Sequence, residues 1–311
     1  MFRLFKNRNF IFLLSIALGL GLPQAAAWTK PLMLPALALV MMLATINVPN
    51  DFFRSARSVM MPSLAGILMT YLILGGVILA SAGLLINDKN LWTGFVLIAA
   101  VPPAVAVIPF TAILDGDVPY TLAGTVASYL AALFIMPLMF FVFIGTNFAQ
   151  PGKLIEIMIL LIVFPLFMSR IILYFNLHQR IASFRGVLTD WGFFIVLYTI
   201  IGVNRDLIFA KPLMIAPVAI VVFAGTFLLG FLIEKIGGLF KIEQKNIISL
   251  VLLGTLKNQG IAGGLAISLF EKEVALPSAV YSIFMIIYFI WLDLRRDRQK
   301  DKPSILLQIN R

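Results

Sequence analysis

The chain contains no cysteine and only one histidine. The first absence excludes disulfides, thiolate metal sites and cysteine nucleophiles. The second leaves no histidine pair to hold a metal. His178 lies among Gln179, Arg180 and Arg185 in a polar stretch, and no acid pair or histidine-based constellation suggests an enzyme. Charge is scarce too: 12% of the 311 residues are charged and 61% are hydrophobic. That balance is far from a soluble domain of this length. The apolar residues form long continuous runs, unlike the short alternating segments of a transmembrane barrel. These features predict an all-α membrane protein that crosses the bilayer many times.

The net charge of +10 does not require nucleic acid as a partner. The basic residues cluster at the ends of hydrophobic runs, as the positive-inside bias predicts, so the lipid bilayer is the expected partner. Ten segments can be drawn, approximately 10–27, 32–48, 61–85, 91–114, 118–145, 154–175, 188–203, 213–233, 246–270 and 276–292. With the N-terminus inside, the inside stretches hold Arg3, Lys6, Arg8, Arg54, Arg57, Arg180, Arg185, Lys235, Lys241, Lys245 and six basic residues of the tail. The outside loops hold only Lys30, Lys89, Lys153, Arg205, Lys211 and Lys272. This asymmetry predicts a multi-pass protein of the inner cell membrane with both termini cytoplasmic. Residues 1–27 also resemble a secretory signal ending at Ala25-Ala26-Ala27, but the charge count works with the segment retained.

Two of the ten segments are interrupted. In 252–265, LLGTLKNQGIAGGL, a lysine, two amides and a glycine sit midway along an apolar run. A central lysine alone costs at least ~2.5–3.5 kcal/mol in hydrocarbon. In 91–114, Pro102 and Pro103 lack amide donors and must stop or kink the helix. These are the fourth and ninth segments. Five apart is odd, so the halves 1–148 and 149–293 would enter the membrane in opposite senses, followed by a charged cytoplasmic tail, 294–311. Matching broken helices in two inverted halves point to a secondary transporter with its site at mid-membrane.

At these residues the chain resembles the bile acid:sodium symporter family. LKNQGIAGGLAISLF and ALPSAVYSIF (275–284) are similar to that family's MQNSGLAAALA and ALPGAIFS, and this is the better match. VPPAVAVIPFTAILDGDVPYTLAGT (101–125) is similar to CPGGTASNVMTYLARGN and the start of the following helix. The resemblance implies ten transmembrane helices arranged as two inverted five-helix repeats. Helices 1, 2, 6 and 7 would form a panel, and the rest a core in which discontinuous helices 4 and 9 cross. It also implies a sodium site, but this chain departs from the pattern. The family's Ser-Asn pair falls on Val107 and Ile108, its glutamate on Leu253 and its glutamine on Lys257, while two hydroxyl positions are kept as Thr121 and Thr125. So few oxygens beside an ammonium make a poor site for a hard cation.

The candidate solute or ion site is therefore Pro102, Pro103, Val107, Ile108, Thr121, Thr125, Lys257, Asn258, Gln259 and Gly260, with no metal and no cofactor. Asn258 and Gln259 can donate and accept at the break, and Gly260 lets another backbone approach. Three roles are open to Lys257. It can pin the crossing by donating to unwound carbonyls, it can be the proton-coupling group, or it can bind an anionic solute. Arg170 is expected to snorkel to the interface. Gly263 and Gly264 are expected to serve packing. Asp115 and Asp117 are expected in a turn, with a gating role as the alternative. The expected function is alternating-access transport of a small organic anion without the family's usual sodium coupling. The alternatives are an uncoupled exchanger or facilitator, and a membrane-embedded ligand sensor on a transporter fold.

Overall fold

The computed structural model describes residues 5, 7–46, 56–145, 151–210 and 212–309, without the side chains of 56–58, 212 and 297–309. Several residues of the charge count (Arg3, Lys6, Arg54 and Lys211) lie outside the described residues, as does the expected boundary at 148–149. The described chain is helical, with no strand beyond one isolated bridge. Seven helices are long and apolar enough to cross a membrane. They are α2 (Pro23–Thr45), α3 (Val59–Leu85), α6 (Val118–Phe143), α7 (Pro151–Tyr174), α8 (His178–Ala210), α9 (Leu213–Leu239) and Lys272–Arg296. The last lies mostly in α12 (Leu276–Ile309). Shorter helices are α1 (Arg8–Gly21), α4 (Lys89–Ala100), α5 (Val107–Ile113), α10 (Gln244–Leu253) and α11 (Gln259–Leu269).

Local chemistry sets several of the ends. Asp88 caps α4, its carboxylate accepting from the Asn90 and Leu91 amides at 2.9 Å. Asp117 caps α6 by accepting from the Tyr120 amide at 2.9 Å, and Asp115 holds a positive φ of 61°. The turn reading of this acidic pair thus has a physical basis: one residue caps and the other turns. Elsewhere the helices outrun their apolar windows. The seventh segment, expected at 188–203, is α8 from His178 to Ala210. The first instead falls short, ending at Gly21 and not at 27, with Pro23 just beyond. Helix α12 continues through the charged tail to Ile309. Hydropathy marks what lipid tolerates, whereas helix length follows backbone hydrogen bonding and packing, which polar residues at a helix end do not oppose.

The helices pack as two groups. Helices α1, α2, α7 and α8 hold one another. Arg8 Nε donates to Asp190 at 2.7 Å. A Cβ on Gly192 would lie 2.5 Å from Val40 Cγ2, so α2 and α8 meet through a glycine. Arg170, expected to snorkel, instead donates to the Thr45 carbonyl at the end of α2. A carbonyl in the last turn of a helix carries the negative end of its dipole and so favours a cation. In the second group α3 and α6 approach so closely that a Cβ on Gly66 would lie 2.3 Å from Gly124 Cα. Helices α4, α5 and α10–α12 pack around that pair.

Candidate functional site

Both predicted interruptions are present. Helix α4 stops at Ala100, with Val101 extended, and α5 starts at Val107. Helix α10 stops at Leu253 and α11 starts at Gln259. The two unwound stretches lie side by side. The Asn258 amide donates to the Pro102 carbonyl at 2.9 Å, and the Ala104 amide to the Leu256 carbonyl at 3.0 Å. Pro103 therefore faces Lys257 in an antiparallel bridge. These bonds flank a non-hydrogen-bonded pair, so Pro103 occupies a register that asks for no donor.

Lys257 is fully buried. Its ammonium donates to the Ala99 carbonyl at 2.7 Å and the Val101 carbonyl at 2.9 Å. It also lies 4.6 Å from the centre of the Tyr71 ring, within cation–π range. Carbonyls at the end of a helix lack intrahelical partners and carry the negative end of its dipole. The lysine thus closes the C-terminus of α4 from another helix. Among the described residues no carboxylate pairs with it.

Side chains satisfy several more of the freed backbone groups. Thr70 Oγ1 donates to the Leu253 carbonyl at 3.2 Å, and Tyr281 OH to the Thr255 carbonyl at 2.7 Å. Tyr129 OH donates to the Pro103 carbonyl and accepts from Asn258 Nδ2, both at 2.8 Å. Asn258 Oδ1 accepts from the Ile261 amide at 3.0 Å and so caps α11. One tyrosine on α6 therefore ties both interruptions together. Tyr71, Tyr129 and Tyr281 were not foreseen from the sequence. A tyrosine in an apolar helix carries no local sign of which distant carbonyl it will reach.

The other expected residues divide. Pro102, Pro103, Lys257 and Asn258 meet at the crossing. Gln259 is buried beside them, but its side-chain amide has no partner, so the expected donor and acceptor role falls to Asn258 alone. Val107 opens α5 and accepts from Thr111 Oγ1 at 2.8 Å; Thr111 in turn bonds Thr121 at 3.0 Å. Thr125 Oγ1 is buried without a partner. It borders a small apolar cavity with Ile108, Tyr129 and Met41. Met41 Sδ, from α2, lies 3.5 Å from Tyr129 OH and 3.6 Å from Asn258 Nδ2. Gly260 faces the first helix group, where a Cβ would lie 2.8 Å from Leu37 Cδ1 and 3.1 Å from Val196 Cγ1. Gly263 meets Ile200 at 2.7 Å in the same sense.

Two clefts run between the helix groups. One, of about 490 Å³, is lined by Arg8, Arg185, Phe193, Val105, Ile108 and Pro109. The other, of about 510 Å³, is lined by Lys30, Lys153, Glu156, Leu34, Ile267 and Ser268. An apolar helical body with two interrupted helices joined at their unwound centres is the architecture of a membrane transporter. The chain belongs to the sodium bile acid symporter family, whose model matches residues 34–211, more than half its length. The match includes the first interruption and ends before the second. Two similar proteins come from Bacillus subtilis (strain 168). The uncharacterized sodium-dependent transporter YocS is 23% identical over 270 residues, covering 86% of this chain and 83% of YocS. The uncharacterized protein YbaS is 22% identical over 301 residues, covering 94% of this chain and 97% of YbaS.

Proposed function

We propose that the chain moves a small organic anion across the inner membrane by alternating access, without a coupling sodium ion. The observation that carries this reading is the Lys257 ammonium on the Ala99 and Val101 carbonyls. A cation already fills the place where unwound backbone would otherwise attract one. A sodium ion beside it would be repelled and would find few oxygens at Val107, Ile108 and Leu253. YocS is described as sodium-dependent; in this chain the charge at the crossing is part of the protein and cannot leave. Of the three roles open to Lys257, pinning the crossing is the one its contacts favour.

Ten crossings follow if α1 and the two interrupted pairs are counted with the seven long helices. In this reading α1, α2, α7 and α8 form the panel, the remaining helices form the core, and the repeats are inverted. The panel would rock against the core so that each cleft opens in turn onto the crossing. Arg185 in one cleft, beside the Arg8–Asp190 pair, and Lys30 and Lys153 against Glu156 in the other favour an anionic solute. Met41 Sδ, a weak acceptor, rests on two strong polar groups, Tyr129 OH and Asn258 Nδ2. A solute carboxylate would accept from Asn258 Nδ2 better than the thioether does, so in this reading the solute displaces Met41 and lies there. Exchange of one solute for another is the natural mode for a transporter whose charge is fixed. The test is initial uptake into proteoliposomes with sodium replaced by potassium at constant pH. Unchanged uptake supports the reading, and a large fall overturns it.

A further inference from the structure

A hydroxyl in an apolar helix ordinarily turns back onto the carbonyl four residues earlier, because hydrocarbon offers no other acceptor. Thr111, Ser128 and Thr226 do so, donating to the carbonyls of Val107, Gly124 and Val222 at 2.8, 2.7 and 2.7 Å. Thr125, one turn before Tyr129 on α6, does not. The residue is 3% exposed, and its Oγ1 has no partner. A buried donor left unpaired is costly and calls for an explanation. Thr125 lines the cavity of about 40 Å³ between α2, α6 and α7. The other hydroxyls lining it are engaged: Thr45 Oγ1 donates to the Met41 carbonyl at 2.9 Å, and Tyr129 OH to the Pro103 carbonyl at 2.8 Å. Much of the wall is alkyl, from Val105, Ile108, Val126, Ile162 and Leu166. A metal ion needs several oxygens, so this hydroxyl does not serve one.

At its Met41 side the cavity meets the crossing. Asn258 Nδ2 donates to Tyr129 OH at 2.8 Å and toward Met41 Sδ at 3.6 Å; the thioether is a weak acceptor that a carboxylate outcompetes. Among the described residues no charged side chain lines the cavity, and Lys257 is committed to the Ala99 and Val101 carbonyls. We propose that Thr125 sets the specificity of the transport site, and that the solute is an aliphatic monocarboxylate of about four carbons bearing one further oxygen. This rests on the transport reading and names its solute. The carboxylate takes the place of Met41 Sδ on Asn258, the alkyl chain enters the cavity, and the hydroxyl or keto oxygen bonds Thr125 Oγ1, which can accept or donate. The cavity holds roughly three water-sized groups, far fewer than a steroid body requires. A second carboxylate would be buried without a cation. A chain without the extra oxygen leaves Thr125 unpaired, and a site built around a polar group rejects an analogue that lacks its partner.

The experiment is initial uptake by the full chain in proteoliposomes of radiolabelled 2-, 3- and 4-hydroxybutyrate, butyrate, succinate and taurocholate, with thermal unfolding measured alongside. At least one hydroxybutyrate should enter roughly tenfold faster than butyrate, and succinate and taurocholate should not enter. Thr125→Val should raise KM for that hydroxybutyrate to the value for butyrate, and Thr125→Ser should keep the preference. Without solute, Thr125→Val should melt at or above the wild-type temperature, since its hydroxyl bonds nothing in the empty protein. Thr93→Val, which does not line the cavity, should keep the preference. A preference that survives Thr125→Val, a lower melting temperature for that variant, or faster entry of succinate or taurocholate would overturn the proposal and leave a transporter standing. A Thr125-dependent rise in melting temperature with a hydroxybutyrate, but no uptake, would keep the site and remove only the transport reading. Neither a rise nor uptake would overturn the proposal.

Discussion

Lys257 and Ala99 are separated by 158 positions in the chain, yet the lysine ammonium donates to the alanine carbonyl at 2.7 Å. That one bond joins the end of α4 to the gap between α10 and α11. It also sets a covalently attached basic group at the gap. The first predictions follow from it.

Replacing Lys257 with alanine leaves two buried carbonyls without a donor, at about 1–3 kcal/mol each. The variant should melt several degrees lower and lose uptake at every pH from 6 to 8. Methylammonium or ethylammonium in the assay should restore part of both, since a small free cation can reach the same carbonyls. Loss of only the response to a pH gradient, with exchange intact, would instead identify Lys257 as a proton carrier.

Sodium ought not to matter even after oxygen donors are introduced. Val107→Ser with Ile108→Asn, and Lys257 kept, should change uptake by less than about twofold between sodium and potassium, because the ammonium still repels the ion. A sodium-stimulated rate in that variant would show that the ammonium does not govern the site.

Tyr129→Phe deletes a hydroxyl that bonds both Pro103 and Asn258. Breaking two buried hydrogen bonds costs about 1–3 kcal/mol here. Lower stability with reduced uptake is expected, whereas Tyr174→Phe on an exposed ring should change neither. Equal melting temperatures for the two variants would remove Tyr129 from the account.

The native chain has no cysteine, so single cysteines can report access to each cleft without background. Ile108→Cys and Ser268→Cys line different clefts. An impermeant maleimide should label them from opposite sides of sealed vesicles. Gly263→Val adds bulk where even a Cβ would lie 2.7 Å from Ile200 Cδ1, so it should wedge the helix groups apart and increase labelling at Ser268→Cys. Labelling of both positions from one side would contradict the two-sided arrangement.

Some of this protein was legible before any fold was known. The scarcity of charge identified a membrane chain, and two local faults in apolar runs located both interruptions. Pro102-Pro103 and the polar 257–260 cluster are costly in themselves, and a missing donor or a charge in hydrocarbon is a property of the residue. What each costly group does about its cost was not legible. The partners of Lys257 lie 158 and 156 positions away, and sequence spacing says nothing about which carbonyl ends up within 3 Å. Arg170 shows the same gap: an arginine near a helix end snorkels unless another helix ends beside it, and α2 ends at Thr45. Gln259 and Asn258 are adjacent amides of like chemistry, but only Asn258 was given partners, because helix geometry turns one toward Tyr129 and not the other. The sequence alone determined where the backbone could not stay helical. Only the tertiary structure decided which distant groups satisfy it, since a hydrogen bond depends on distances of a few ångströms that the folded packing alone sets.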